Sequence, residues 1–132
     1  MAGNKFSQYN KEVMKRFLKP KFSGKMKNPN AIGEVMNEQC GDMMRIFLRI
    51  EKEKIKNINF QTIGCAAAIA SSDALCELAK GKNLKDAMKI TNKDIIKKLK
   101  GLPSIKMHCS VLGISALKNA LGNYKQKQKV NS

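Results

Sequence analysis

Three of the four cysteines stand where the chain changes from one local pattern to another. Cys40 precedes Gly41 in a break between two apolar segments, Cys65 follows Gly64, and Cys109 opens a helical pattern. A thiol at the start of a helix is stabilised as thiolate by the helix dipole, and glycine lets the backbone approach a bulky ligand. Thiolates are the protein ligands that soft metals prefer. The three cysteines therefore predict a metal site or thiol chemistry, assembled from three segments at one end of the fold.

Two further side chains are candidate ligands because they flank these cysteines. Asp42 follows Cys40 by two positions, and His108 immediately precedes Cys109. Each also has a purely structural interpretation, since Asp42 could simply begin a strand and His108 could be an ordinary surface or core histidine. No Cys-x-x-Cys pair occurs, so the spacing alone does not distinguish zinc from iron.

The fourth cysteine has a different setting. Cys76 falls in the middle of an apolar helical segment, beside Leu75 and close to Leu78 and Ala79. A thiol in such a segment usually behaves as a small buried hydrophobic group. We therefore expect Cys76 to lie in the core and to take no part in the chemistry.

The elements that must position these residues change in type along the chain. Ser7 is a candidate cap for a first helix with an apolar stripe of Tyr9, Val13 and Phe17. Three short strands are then predicted from the segments AIGEVMN, DMMRIFLRIE and KIKNINFQTI, joined by tight turns as in an antiparallel meander. We expect α+β architecture, with a three-stranded antiparallel sheet packed against several helices.

The second half of the chain is predicted to be helical. One Ala-rich helix from Cys65 ends before Gly81, and Asn83 and Asn92 are candidate caps of two shorter helices. A last helix is predicted from Cys109 to Leu121, closed by Gly122. No repeat and no linker interrupts the sequence, so residues 1–132 are predicted to form a single domain.

The net charge and the absence of apolar segments long enough for a membrane span limit the possible functions further. The formal net charge is +16, from 26 Lys plus Arg against 10 Asp plus Glu, which favours acidic partners. Nearly all of these cations are Lys and they are spread along the chain, which argues against nucleic-acid binding as the main function. No apolar segment approaches the roughly 20 residues of a membrane span. We expect no membrane association and a cytoplasmic chain, or one whose presequence has been removed, so that the cysteines serve metal binding rather than disulfides.

Three motifs in this order resemble the IscU family, which is also the N-terminal domain of NifU. They are EQCGDMM, QTIGCAAAIASSDAL and KMHCSVLGISALKNAL. The likeness extends to QYNKEVMKRFLKPKFSG, NLKDAMKITNKDI and NYKQKQ, and so covers the chain from about Tyr9 onward.

The resemblance implies a scaffold for iron–sulfur cluster assembly, which is a carrier and not an enzyme. Cys40, Cys65 and Cys109 would be ligands of a transient 2Fe–2S cluster, completed by Asp42 or His108, and zinc also fits this site. Cys109 would accept sulfur as a persulfide from a cysteine desulfurase, and apo iron–sulfur proteins would receive the cluster. A hard carboxylate in the ligand set weakens the hold on a cluster, so Asp42 is predicted to tune its release.

Several features bear on partners and on the alternative function. The segment Leu102-Pro103-Ser104-Ile105-Lys106 lacks the second proline of the family's chaperone-docking motif, which argues against recognition by an Hsp70-type chaperone. The family's N-terminal tyrosine, matched by Tyr9, is linked to self-association, so a homo-oligomer is also implied. The nearest alternative is the SufU branch of zinc-binding sulfur acceptors, which carries an insertion before the third Cys and usually lacks the preceding His. A Cys-His-Asp hydrolase is disfavoured because no nucleophile elbow or oxyanion motif is present.

Overall fold

The structure is a computed structural model that describes residues 9–37, 41–102 and 109–131, with the backbone alone at 37, 109, 110 and 127–131. Within these ranges the chain forms three strands and five helices. In chain order they are α1 (Lys11–Leu18), β1 (Ala31–Asn37), β2 (Asp42–Glu51), β3 (Lys54–Ile63), α2 (Ala66–Ala79), α3 (Leu84–Met88), α4 (Asn92–Lys98) and α5 (Cys109–Asn131). None of these helices is long and apolar enough to cross a bilayer. The predicted α+β class is confirmed.

The three strands form one antiparallel sheet in the order β1-β2-β3, as the meander pattern predicts. Gly33 pairs with Ile46, which pairs with Phe60, and this row faces the core. A tight turn at Lys52 and Glu53 joins β2 to β3, and both residues have positive φ, of 53° and 62°. Such φ values suit a two-residue hairpin turn whose twist matches that of the strands.

Helices α2 and α5 cover the inner face of the sheet. The core contains Phe60 and Leu48 from the sheet, Leu75 from α2, and Leu117 and Leu121 from α5, all at most 1% exposed. Removing these apolar side chains from water is the main favourable term for the fold.

Helix α5 lies very close to β1 because of a glycine. A Cβ built on Gly33 would lie 2.2 Å from the carbonyl oxygen of Ala116 and 2.4 Å from the amide nitrogen of Ala120. The helix backbone therefore occupies the space that any other side chain would need. This contact fixes the distance between α5 and the sheet.

A buried ion cluster attaches α1 to α2. Arg16, only 7% exposed, contacts Asp73 at 2.8 Å, Glu77 at 3.1 Å and Glu12 at 2.8 Å. The second oxygen of Asp73 accepts the backbone N–H of Phe22 at 3.0 Å. Burying the guanidinium is tolerated because its donors face three carboxylates.

Several helix boundaries differ from the sequence prediction. Asn10 caps α1 by accepting the N–H of Val13 at 2.8 Å, so Tyr9 precedes the helix, and Ser7 lies outside the described residues. Thr91 rather than Asn92 caps α4, because Thr91 and Asp94 form a reciprocal capping box.

The end of α5 was also predicted wrongly. The helix does not stop at Leu121 but continues through Gly122 to Asn131. A glycine inside a helix costs only about 1 kcal/mol, which the surrounding residues offset. By contrast, Asn83 caps α3 and Gly81 follows α2 with φ of 86°, as predicted.

Candidate metal centre

One end of the sheet brings together three chain segments that bear candidate ligands. The last residue of β1, Asn37, pairs with Asp42, the first residue of β2. The next residue, Met43, pairs with Ile63 at the end of β3. Asp42 therefore begins β2 at the end of the sheet where β3 finishes and the chain continues to Gly64 and Cys65.

Gly64 lets the Asp42 carboxyl group approach the start of α2. A Cβ built on Gly64 would lie 3.3 Å from Cγ of Asp42, 3.4 Å from its Oδ1, and 3.0 Å from Cβ of Ala68. The carboxyl group thus packs against the backbone immediately before Cys65. Asp42 and Gly64 are consequently neighbours in space although they are distant in sequence.

Cys65 is the N-cap residue of α2 and is half-buried. Its backbone is extended, with φ of −81° and ψ of 177°, and its side chain makes no capping hydrogen bond. The first turn of α2 contains no acidic residue, so the positive end of the helix dipole acts on this thiol, while the Asp42 carboxyl group packs against the preceding Gly64. The start of α2 thus places the Cys65 segment next to the Asp42 carboxyl group.

The direction of α5 places its first residue at the same end of the sheet. Asn123 donates to the carbonyl of Ile32 at 2.8 Å, and Asn119 accepts the N–H of Glu34 at 3.2 Å. The helix therefore runs from the end of β1 toward its beginning. A Cβ on Gly113, one turn after Cys109, would lie 3.8 Å from Cε of Met44 in β2. The backbone of Cys109 thus lies near the start of β2.

The structure describes little of the remaining candidate ligands. Cys40, His108 and the segment 103–106 lie outside the described residues, and at Cys109 only the backbone is described. Within the described part of the chain, no three His, Cys, Asp or Glu side chains form a group that could hold a metal ion. The ligand set of Cys40, Asp42, Cys65, His108 and Cys109 therefore stays a prediction.

Cys76 is fully buried, as the sequence predicts. Burial raises the pKa of its thiol well above the usual value, and the negative charge of Asp73 raises it further. Cys76 follows Cys65 by eleven residues in the same helical segment, which corresponds to about 16 Å along the axis. A protonated, enclosed thiol at that distance cannot be a ligand of the same site.

An apolar row that was not singled out from the sequence borders this end of the fold. Met36, Met43 and Ile63 are cross-strand neighbours on the outer face of the sheet. Met36 is 59% exposed and Ile63 is 63% exposed. Strand alternation puts these residues on the face opposite the core. Apolar residues at positions expected to be exposed were the sequence signal that could have predicted this row.

An α+β fold that brings the Asp42 carboxyl group beside the segment bearing Cys65 agrees with the predicted class of metal- or sulfur-binding protein. Comparison with known proteins gives the particular class. The model of the NifU-like N-terminal domain family matches residues 8–131. The chain is 43% identical over 119 residues to the iron–sulfur cluster assembly scaffold protein IscU 1 of Archaeoglobus fulgidus, covering 90% of this chain and 78% of the relative.

Two further comparisons extend this result. The nitrogen fixation protein NifU of Azotobacter chroococcum is 45% identical over 122 residues, which span 91% of this chain and 40% of NifU. A crystal structure of a proposed iron–sulfur cluster assembly scaffold for the SUF system, from Fervidobacterium islandicum, superposes with a TM-score of 0.73 at 25% identity. This superposition covers 89% of this chain and 98% of the other.

The chain belongs to the NifU-like N-terminal domain family, which includes IscU. The prediction made from the three cysteine motifs is confirmed at this level, with the role of an iron–sulfur cluster assembly scaffold. The role of this family is that of a non-catalytic scaffold.

Proposed function

We propose that this protein, as one domain spanning residues 1–132, accepts sulfur from a cysteine desulfurase, builds a 2Fe–2S cluster and transfers it to apo-proteins. The cluster is its cargo. Cys40, Cys65 and Cys109 hold the iron atoms, and Asp42 or His108 completes the set. The observation that carries the proposal is the meeting of Asp42, the Cys65 segment and the start of α5 at one end of the sheet. Thiol chemistry of this kind needs a reducing compartment, which supports a cytoplasmic location.

Sulfur reaches the site by thiol–persulfide exchange. The thiolate of Cys109 attacks the outer sulfur of the desulfurase persulfide, a new S–S bond forms, and the old one breaks. The desulfurase cysteine leaves as a thiolate, so this step needs no oxidant. His108 accepts or returns the proton. Reduction of each persulfide sulfur to sulfide takes two electrons, which an external electron donor supplies.

Asp42 has the task of keeping the cluster transferable. A carboxylate oxygen is a harder ligand than a thiolate and holds iron–sulfur clusters less firmly. Its packing against Gly64 supports this role because the carboxyl group already lies beside the segment that delivers Cys65. We expect Asp42→Ala to retain its cluster longer and to transfer it more slowly. Transfer by the variant as fast as by the natural protein would contradict this role for Asp42.

The apolar row of Met36, Met43 and Ile63 offers a docking surface for the sulfur donor. It borders the strand ends next to Asp42 and Cys65, and two of its three side chains are mostly exposed. Exposed apolar groups in a contiguous row are typical of protein interfaces. A partner bound there brings its own reactive group to the end of the sheet where the thiols are proposed to lie.

The experiment is anaerobic reconstitution with ferrous iron, cysteine and a cysteine desulfurase, followed by addition of an apo-ferredoxin. The proposal predicts a sulfide-containing chromophore on this protein that decays as the ferredoxin spectrum develops. The alternative is a zinc-binding sulfur carrier of the SufU type, which the superposition on the SUF-system structure keeps open. A protein that retains zinc and accepts sulfur, yet never forms a cluster, would replace the scaffold proposal with that alternative.

A further inference from the structure

A basic groove lies between α1, the second half of α2 and α4. It consists of a cavity of about 730 Å³ and an adjoining one of about 390 Å³. The two share Glu12, Lys15 and Lys100, so they form one continuous depression. This feature has no part in the site described above.

Five lysines of the groove are arranged in two rows. Lys11 and Lys15 belong to α1 and Lys19 follows it directly, so these residues recur every four positions along one face and span about 12 Å. Lys97 and Lys100 line the opposite side, at the end of α4. All five side chains are exposed.

These lysines are available to a partner, whereas the cations on the floor are already engaged. Arg16 contacts three carboxylates, and Lys98 contacts Glu77 at 2.8 Å. None of the five lysines of the two rows belongs to an ion pair among the described residues. The rim therefore carries lysine charges that have no ion-pair partner in the part of the chain that the structure describes.

The form of the groove favours a carboxylate-bearing segment of a protein over a phosphate ligand. Phosphate sites usually offer an arginine fork or the open N–H groups of a helix N-terminus. Here the only guanidinium on the lining is Arg16, which is fully paired, and Asp94 occupies the start of α4 by accepting the N–H of Thr91 at 2.9 Å. A row of lysines at intervals of four instead matches acidic side chains that recur every four residues on a helix.

We propose that this groove docks an acidic helix of a partner protein. The lysine row of α1 meets the acidic face of that helix, and Lys97 and Lys100 meet it from the other side. Leu78 and Ile90 supply apolar contacts at one end of the lining. Because lysine is strongly hydrated and flexible, the complex forms quickly, exchanges readily and weakens with salt.

The position of the groove permits docking while the thiol end is in use. The groove contacts α2 from Asp73 to Leu78, eight to thirteen residues beyond Cys65, which is about 12–20 Å along the helix. A partner bound there leaves the end of the sheet at Asp42 and Cys65 uncovered. The scaffold is thereby able to stay attached to one protein and react with another.

The test is the binding of a dye-labelled, alanine-rich helical peptide with glutamate at every fourth position, measured by fluorescence anisotropy at low salt. Metal-free protein is used, so the result does not depend on cluster assembly. The natural protein is compared with Lys15→Glu, Lys97→Glu, and the matched control is Lys118→Glu, Lys125→Glu on α5. Each pair changes the net charge equally, and circular dichroism verifies folding. If the groove pair fails to fold, Lys15→Gln, Lys97→Gln replaces it, with Lys118→Gln, Lys125→Gln as its control.

We expect the groove pair to weaken binding at least about tenfold and the control pair to change it by less than about threefold. An equal loss in both pairs would show attraction to net charge alone and would overturn the proposal. So would the absence of saturable binding. Tripolyphosphate provides the last arm. If it binds the groove more tightly than the peptide, the groove is a phosphate site and the protein partner is refuted.

Discussion

Replacing Gly33 by alanine should disturb the contact that holds α5 against the sheet. The added Cβ would lie 2.2 Å from the carbonyl oxygen of Ala116, whereas a carbon–oxygen contact needs roughly 3.3 Å. The helix or the strand must therefore move by about 1 Å. Both of the closest contacts are backbone atoms of α5, so no side chain can rotate away to make room.

The expected cost follows from the size of this displacement. Overpacking in a core costs about 1–3 kcal/mol, and we expect the upper end because the obstruction is backbone. For a domain whose unfolding free energy is roughly 5–15 kcal/mol, a loss of about 3 kcal/mol is readily measured. Urea unfolding followed by far-UV circular dichroism gives the value.

Gly122→Ala is the matched control in the same helix. A Cβ at Gly122 meets no atom within 4 Å, and the residue lies inside α5. Alanine there should raise the unfolding free energy by about 0.5–1 kcal/mol, because it restricts the unfolded chain and favours helix.

Stability of Gly33→Ala within about 0.5 kcal/mol of the natural protein would refute the close packing of α5 on β1. Because α5 begins at Cys109, the account also predicts a shorter cluster lifetime in the folded Gly33→Ala variant. Gly122→Ala should leave that lifetime unchanged.

Three other predictions concern the residues that join the helices. Asn10→Ala should lower the unfolding free energy by about 1–2 kcal/mol in urea, since Asn10 caps α1 and donates to the carbonyls of residues 99–101, directly after α4. Asn10→Asp should recover only part of this loss, and full recovery would refute a role for the donor. Asp73→Asn should cost about 2–3 kcal/mol by the same assay, because buried Arg16 loses a charged partner; a loss below about 0.5 kcal/mol would contradict the cluster. Iodoacetamide at neutral pH should leave Cys76 unmodified until the protein unfolds, because burial raises the pKa of its thiol. Peptide mapping of the native protein decides this, and early modification of Cys76 would show that it is accessible.

Local patterns predicted the sheet well. The segments for β1, β2 and β3 agree with the observed strands because alternating apolar residues and tight turns act over a few positions. The antiparallel meander also implies that Asp42 and Ile63 lie at the same end of the sheet, and this placement supports the predicted metal site.

Contacts between distant residues could not be predicted in this way. Arg16 and Asp73 are separated by 57 positions, and neither has a local signal for their contact. Gly33 looked like an ordinary strand residue, although its missing side chain fixes the position of α5. The two lysine rows of the groove face each other only because α1 and α4 both pack against α2, so the sequence showed a high charge without showing where it is concentrated.

The cap errors have a local cause. Thr91 and Asn92 are both good capping residues, and the choice depends on which of them has Asp94 three positions later. At the other end, Gly122 resembles a helix terminator, but a glycine ends a helix only where the backbone adopts positive φ.

The most direct test of the central claim compares the four cysteines. Cys40→Ala, Cys65→Ala, Cys109→Ala and Cys76→Ala are reconstituted anaerobically in parallel, and iron and acid-labile sulfide are measured per chain. The account predicts that the first three variants fail to hold a cluster and that Cys76→Ala holds as much as the natural protein. Loss of the cluster in Cys76→Ala with unchanged stability, or full retention in any of the other three, would contradict it.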